Sequence, residues 1–197
     1  MDVAIIDSGG ANLASLQFAL ERLGARAEVT DRADVIRVAP RVLLPGVGSA
    51  GNAMQRLNAA GLTTVIPTLT QPVLGICLGM QLLFAASEEG PVDCLNVLPD
   101  TVRRLQPAPD LPVPHMGWNQ LHLRAADPLL EGIAEGDYFY FVHSFAAPVT
   151  GTTLASASYG VDVAAVVRRN NFCGTQFHPE RSARAGARML SNFLKLT

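Results

Sequence analysis

The chain has 197 residues, 49% of them hydrophobic and 16% charged, which is enough for one well-buried domain and too few for two ordinary ones. A formal net charge of −2, with scattered lysines and arginines, provides no basic face for nucleic acid. The three cysteines lack C-x-x-C spacing, which argues against a disulfide framework and against a structural zinc site. We therefore expect a single domain over 1–197, without a metal, in a reducing cytoplasm.

The first half of the chain alternates short apolar strands with helices. The pattern predicts strands at 3–7, 25–29, 42–44 and 73–76 and helices at 12–23 and 50–60, with another helix directly after Cys77. This alternation is typical of parallel α/β construction. The uncharged stretch 57–87 resembles a membrane span, but Pro67, Pro72 and three glycines divide it, so we expect no membrane partner.

The second half of the chain has a different texture. Short β-like runs at 102–105, 121–123, 138–143, 153–158 and 163–168 suggest antiparallel pairing. Asn170 and Asn171 indicate a tight hairpin turn before a further strand at 172–177, and a helix at 183–196 closes the domain. The expected fold is α/β with a mixed sheet, mainly parallel in its first half and antiparallel in its second.

The segment around Cys77 runs from an apolar strand through the G-I-C-L-G motif at 75–79 into a helix. A strand–turn–helix junction of this kind presents its central side chain at the tip of a sheet, and its glycines allow close packing. Unpaired N–H groups and the positive end of the helix dipole would favour the thiolate. A lone cysteine in an apolar stretch is also a common small core residue, so this motif alone leaves both interpretations open.

A histidine and a carboxylate lie two residues apart at the end of the 172–177 strand. The proline between His178 and Glu180 favours extended geometry at His178. If that geometry continues, alternation places both side chains on one side of the chain, where the carboxylate could orient an imidazole that serves Cys77. The expected arrangement is therefore a Cys–His–Glu triad.

Nucleophilic attack on a carbonyl also requires donors for the developing oxyanion. The P-G-V-G turn at 45–48 follows the buried strand at 42–44, and its backbone could point an N–H inward. Taken alone, such a turn more often only reverses the chain. Together with Cys77 and His178, it favours acyl chemistry at the carboxyl ends of neighbouring strands.

These elements resemble the class I glutamine amidotransferases, whose glutaminase domain has a flavodoxin-like mixed sheet. Further motifs, P-H-M-G-W-N at 114–119, Y-F-V-H-S at 140–144 and G-T-Q-F-H-P-E at 174–180, are similar to one branch of that family, the glutaminase subunits of imidazole glycerol phosphate synthases. Two departures lie outside the triad: D-S-G-G-A-N at 7–12 replaces the usual D-Y-G-x-G-N, and Arg181 stands where lysine is usual.

The resemblance implies a role for each matching residue. Cys77 is the expected nucleophile, His178 is the expected base and acid, and Glu180 is expected to orient the His178 ring. The expected oxyanion donors are at Val47, Gly48 and Leu78. Glutamine is the expected substrate, held by Gly46, Gln81, His143, Ser144 and Phe145. A separate cyclase subunit is the expected partner, docked at Asn12, Trp118, Asn119 and Arg181, and no cofactor is expected. His115 and His122 are expected to be non-catalytic.

Two other functions remain open at this point. A glutaminase of pyridoxal phosphate or anthranilate synthesis would share the triad, although the 114–119 motif argues against it. A non-catalytic regulatory subunit would keep the fold without the chemistry, and the intact Cys77, His178 and Glu180 argue against that.

Overall fold

The computed structural model describes residues 1–8 and 13–197. The strands are β1 Val3–Ile6, β2 Ala27–Thr30, β3 Val42–Gly46, β4 Val73–Cys77, β5 Ala86–Ser87, β6 Val92–Asp93, β7 Thr101–Arg104, β8 His115–Gln120, β9 His122–Leu123, β10 Tyr138–His143, β11 Phe145–Ala146, β12 Thr153–Tyr159, β13 Val161–Arg169 and β14 Phe172–Thr175. The helices are α1 Leu13–Arg22, α2 Ala33–Val38, α3 Ala50–Ala59, α4 Leu78–Leu82 and α5 Ala183–Phe193.

A central mixed sheet carries the fold, with strand order β2-β1-β3-β4-β14-β13-β12-β9. Neighbours within the run β2-β1-β3-β4-β14 pair in parallel, whereas neighbours within the run β14-β13-β12-β9 pair antiparallel. The predicted division into a parallel and an antiparallel half is confirmed. The Asn170–Asn171 turn is also confirmed, because Arg169 pairs with Phe172 across it.

Apolar side chains cover both faces of this sheet. On one face, Leu16 and Leu20 of α1 and Leu190 of α5 join a cluster with strand residues. On the other face, Ile36 of α2 and Leu57 of α3 join a second cluster. Burial on both sides explains why β3 and β4 are continuous apolar runs, since neither strand has a solvent face.

A separate two-stranded sheet, β8 with β10, lies beside the carboxyl ends of the parallel strands. Its register pairs Tyr140 with Trp118 and His143 with His115. One face is buried and the other is exposed, as the alternation of the strands requires. A small four-stranded sheet of order β11-β7-β5-β6 completes the fold.

Candidate active site

Cys77 sits in a strained turn between β4 and α4. Its φ of 55° and ψ of −113° lie in a region that side-chain-bearing residues rarely adopt. The glycine of the next turn is required by space, because a Cβ at Gly79 would lie 1.6 Å from the Leu44 carbonyl oxygen. The backbone conformation of Cys77 costs about 1–3 kcal/mol and persists because the buried surroundings hold it. The motif at 75–79 therefore forms the predicted strand–turn–helix junction, a nucleophile elbow.

The helix that follows the elbow is short. α4 has only five residues, Leu78–Leu82, so the dipole argument for a stabilised thiolate is weaker than expected. A cationic side chain near the sulfur is the stronger means of favouring the thiolate.

His178 is held by the backbone of β10. Its N–H donates to the Tyr140 carbonyl at 3.0 Å, and its own carbonyl accepts from Ser182 Oγ at 2.6 Å. The predicted extended geometry is present at His178 itself, with φ −96° and ψ 99°. The predicted continuation is wrong, because Pro179 starts a single 3₁₀ turn, Pro179–Arg181. That turn, and not strand alternation, brings Glu180 Oε1 to 2.8 Å from His178 Nδ1.

The protonation of His178 depends on its two neighbours. Burial alone would lower its pKa, but the hydrogen bonds and charges of Cys77 and Glu180 outweigh burial and raise the pKa to about 10. An imidazole with this pKa is protonated at neutral pH and lies beside the sulfur. A cationic neighbour of this kind is what a nucleophilic cysteine requires.

The other two cysteines lie in different surroundings. Burial raises the pKa of Cys94 to about 11, and the charge of Asp93 adds to the effect. Burial also raises the pKa of Cys173 to about 12. Both thiols are therefore expected to stay protonated and unreactive.

A cavity of about 420 Å³ opens at Cys77 and brings together most of the predicted site residues. Its walls comprise Val47, Gly48, Cys77, Leu78, Gln81, Glu89, Pro114, Val142, His143, Ser144, Phe145 and His178. Gly48 has a φ of +93°, a conformation that glycine adopts without strain. Glu89, Pro114 and Val142 were not predicted. Glu89 lies two residues after β5 with no motif to mark it, so the sequence gives no signal for it.

A second, smaller cavity of about 120 Å³ adjoins the first and shares Val47, Val142 and His178 with it. Gly46, Glu180 and Arg181 line this smaller space. Glu180 Oε2 is buried and has no hydrogen-bond partner among the described residues. Gly46 thus lies behind the elbow, apart from the larger cavity in which it was expected to hold substrate.

The residues predicted to bind a partner lie on the β8–β10 sheet and beside it. Trp118 is 52% exposed and packs edge-on against Tyr140. Arg181 lies over the ring of the same Tyr140, with its guanidinium carbon 4.6 Å from the ring centre. Asn119 turns away from this face and donates to the Ser158 carbonyl at 2.9 Å. Asn12 lies outside the described residues.

Two kinds of feature are absent from the described part of the chain. Among residues 1–8 and 13–197, no group of three or more His, Cys, Asp or Glu side chains is placed to hold a metal ion. No helix in the described part of the chain is long and apolar enough to cross a membrane.

Comparison with known proteins adds to this geometry. The model of the family "Glutamine amidotransferase class-I" matches residues 4–196. The chain belongs to this family. It is 54% identical over 196 residues to "Imidazole glycerol phosphate synthase subunit HisH" of Xanthomonas campestris pv. campestris (strain 8004), covering 100% of this chain and 98% of that one. It is 53% identical to the protein of the same name from Xylella fastidiosa (strain Temecula1 / ATCC 700964), covering 99% and 98% of the two chains.

Solved structures support the fold of this family member. A structure described as "Crystal structure of glutamine amidotransferase" aligns with a TM-score of 0.77 at 20% identity, covering 99% of this chain and 98% of that one. A chain in "Structure of PurLQS from Thermotoga maritima" aligns with a TM-score of 0.73 at 19% identity, covering 98% and 96%. The predicted class I glutamine amidotransferase fold is confirmed.

Proposed function

We propose that this chain is the glutaminase subunit of an imidazole glycerol phosphate synthase, which hydrolyses glutamine and supplies the ammonia to a separate cyclase subunit in the histidine pathway, in the cytoplasm. The observation that carries the chemistry is the His178–Glu180 pair beside Cys77, at the wall of a cavity of about 420 Å³. The synthase assignment is supported by the full-length similarity to the HisH subunits.

The reaction follows from which atoms are available. Glu180 occupies His178 Nδ1, which leaves Nε2 as the nitrogen that exchanges protons with Cys77 and substrate. Cys77 Sγ attacks the carboxamide carbon of glutamine, and the new C–S bond pushes the C=O electrons onto oxygen. His178 then protonates the amide nitrogen, and the C–N bond breaks. Ammonia departs, and a γ-glutamyl thioester remains on Cys77.

The second half of the reaction restores the enzyme. Water loses a proton to His178 and attacks the thioester carbon, and the C–S bond breaks to give glutamate and the Cys77 thiolate. Backbone N–H groups of Leu78 and of Val47 or Gly48 are the proposed donors to the oxyanion in both halves. Each such donor is worth about 3–4 kcal/mol of barrier in comparable hydrolases.

The substrate's amino-acid end requires its own partners. Gln81, His143, Ser144 and Phe145 line the larger cavity and are the proposed wall for this end of glutamine. Glu89 is the one carboxylate among the lining residues, and its Oε2 accepts from the Ala50 N–H at 2.8 Å. This bond fixes the carboxylate in place, so we assign Glu89 to the substrate's α-ammonium group.

The test of the whole proposal is glutamine hydrolysis by the purified chain, alone and with a co-purified cyclase subunit. Ammonia release that disappears in Cys77→Ser and persists in Cys94→Ser is the expected result, because Cys94 lies outside the cavity. No glutamine-dependent ammonia from the wild-type chain in either state would overturn the proposal.

The docking surface is tested separately. Met116, Trp118 and Tyr138 are exposed apolar side chains on one face of the β8–β10 sheet. Of the other proposed interface residues, Arg181 lies over the Tyr140 ring, whereas Asn119 points to the opposite face. Asn12 is the remaining proposed interface residue. We expect Trp118→Ala to weaken cyclase binding by about 30-fold, because exposed tryptophans are frequent binding hot spots. Val38→Ala is the matched control, since Val38 is 78% exposed on α2, away from this sheet. Equal weakening by both variants would contradict the placement.

A further inference from the structure

Two buried histidines outside the triad form a hydrogen-bonded pair that takes no part in the proposed proton transfers. His115 Nδ1 lies 2.9 Å from His143 Nε2, and His143 Nδ1 lies 2.9 Å from the Phe145 carbonyl oxygen. At the other end, Asn119 Nδ2 lies 3.4 Å from His115 Nε2. His143 lines the larger cavity, whereas His115 does not.

These bonds form a series that runs from the Phe145 carbonyl through His143 and His115 to Asn119. The Phe145 carbonyl fixes the direction of every hydrogen bond in this series. A carbonyl oxygen only accepts, so His143 Nδ1 carries the proton and, in the neutral ring, Nε2 accepts. His115 must then donate from Nδ1 and accept at Nε2, which is what the Asn119 amide supplies. His115 is stacked between the rings of Phe141 and Tyr159, surroundings that favour the neutral form. One proton arrangement therefore satisfies the whole series.

The same carbonyl connects the pair to the nucleophile. Phe145 O also accepts from Gln81 Nε2 at 2.7 Å, which uses its second lone pair. The other Gln81 N–H donates to Gln176 Oε1 at 2.9 Å. That bond orients the Gln176 amide with Nε2 toward Cys77 Sγ, 4.0 Å away. The series thus runs from the edge of β8 to the reactive sulfur.

We propose that His115 is a positioning residue for the glutaminase reaction, acting through His143 and the Phe145 carbonyl on Gln81, Gln176 and finally Cys77. This inference rests on the proposed role of Cys77. It requires hydrogen bonding by His115 and not only its volume. Without the His115 donor, the His143 ring loses the bond that fixes its orientation, and the Phe145 carbonyl is no longer held toward Gln81.

The test compares His115→Phe with His115→Asn. Phenylalanine keeps the stack between Phe141 and Tyr159 but has no hydrogen bond, whereas asparagine keeps a donor near the position of Nδ1. The control is Tyr159→Phe, which removes the bond from the Tyr159 hydroxyl to the Pro112 carbonyl beside the same stack, outside the series. Each chain is measured for its Cys77 alkylation rate by iodoacetamide, its kcat and KM for glutamine in the complex, and its midpoint of thermal unfolding.

We expect His115→Phe to slow Cys77 alkylation and to lower kcat by about fivefold, the effect of one hydrogen bond, with a smaller change in KM. His115→Asn should recover most of both rates, and Tyr159→Phe should match the wild type. If His115→Phe does not fold, His115→Gln replaces it, because its amide lies near Nε2 and leaves His143 without a donor.

Wild-type rates in the variants that lack the donor, with only a lower unfolding midpoint, would overturn the inference and leave His115 as a packing residue. Equal losses in His115→Asn and His115→Phe would overturn it too. A wild-type chain that releases no ammonia from glutamine would instead overturn the proposed function, while the alkylation comparison would still report on the hydrogen-bond series.

Discussion

Two buried histidine environments lie within one active-site region and have opposite properties. His178 contacts a carboxylate and a thiol, and its pKa is raised to about 10 although burial acts to lower it. His143 is buried with a carbonyl and another imidazole as partners, and burial lowers its pKa to about 3. Burial likewise lowers the pKa of His115 to about 4. The ionisable partners of a buried histidine, and not how deeply it is buried, decide whether its ring is a cation.

This difference separates two tasks. A ring that takes up and returns a proton needs a partner that stabilises its charged form, which Glu180 provides. A ring that only transmits a hydrogen-bond direction must stay neutral, because a proton on both nitrogens would leave two donors facing each other. In the proposed mechanism these tasks fall on separate residues, with His178 after β14 and the neutral pair across β8 and β10.

The largest expected effect comes from removing the atom that the charged histidine serves. Cys77→Ala should abolish glutamine-dependent synthesis, since losing the nucleophile of a coupled triad costs on the order of 10⁴-fold or more in rate. Synthesis from added ammonium salts should remain, because the proposed cyclase chemistry lies on another chain. Assays of the complex with each nitrogen source decide this. Near wild-type ammonia release from glutamine by the variant would show that Cys77 is not the nucleophile.

A second change makes the charged environment resemble the neutral one. Glu180→Gln removes the carboxylate at 2.8 Å while keeping its size, so the pKa of His178 should fall. The glutaminase rate should drop on the order of 10²-fold, the lower range for general acid–base catalysis. NMR titration of the His178 ring, with Asp127→Asn as a carboxylate control far from the site, measures the shift. An unchanged His178 titration would show that Glu180 does not raise the pKa of His178.

The sequence predicted the triad because its motifs are local. The G-I-C-L-G turn requires glycine at 79 for a steric reason that holds for any such junction, and His178 and Glu180 are separated by one residue. The alternation argument nevertheless failed at Glu180, because a proline that follows an extended residue can also begin a turn. The contact between His178 and Glu180 was thus predicted for an incorrect geometric reason.

The neutral pair was not predicted because it depends on register. His115 and His143 are 28 positions apart, and they meet only through the antiparallel pairing of β8 and β10. The strand β8 itself was missed: a proline-rich loop precedes it, and its alternating residues include glycine and polar side chains in place of a β-branched run. The short helix α2, Ala33–Val38, was missed for lack of a cap, since Arg32 makes no side-chain capping bond. Nonlocal pairing is the information that the sequence pattern does not contain.

A third prediction uses the opposite signs of the two environments. The raised pKa of His178 gives stability that is fully present below pH 6.5 and is lost as pH rises toward about 10. The lowered pKa of His115 gives stability that is present above pH 6.5 and is lost as pH falls toward about 4. Urea unfolding of the wild type, His178→Gln and His115→Phe between pH 4 and 10 should show these opposite trends.

The size of this effect is limited by one proton per histidine. Below pH 6.5, His115→Phe should reduce the slope of the unfolding free energy by at most about 1.4 kcal/mol per pH unit. His178→Gln should leave that acidic slope unchanged and flatten the alkaline one. Parallel curves for all three proteins would mean that the two environments do not differ in proton affinity.

The most direct test of the account is selective labelling by an electrophilic glutamine analogue, followed by peptide mapping of all three cysteines. Cys77 alone combines the cavity with a protonated histidine, whereas burial raises the pKa of Cys94 to about 11 and of Cys173 to about 12. We predict label on Cys77 only, with glutaminase activity lost in proportion. Comparable label on Cys173 or Cys94, or full activity after complete modification of Cys77, would contradict the account.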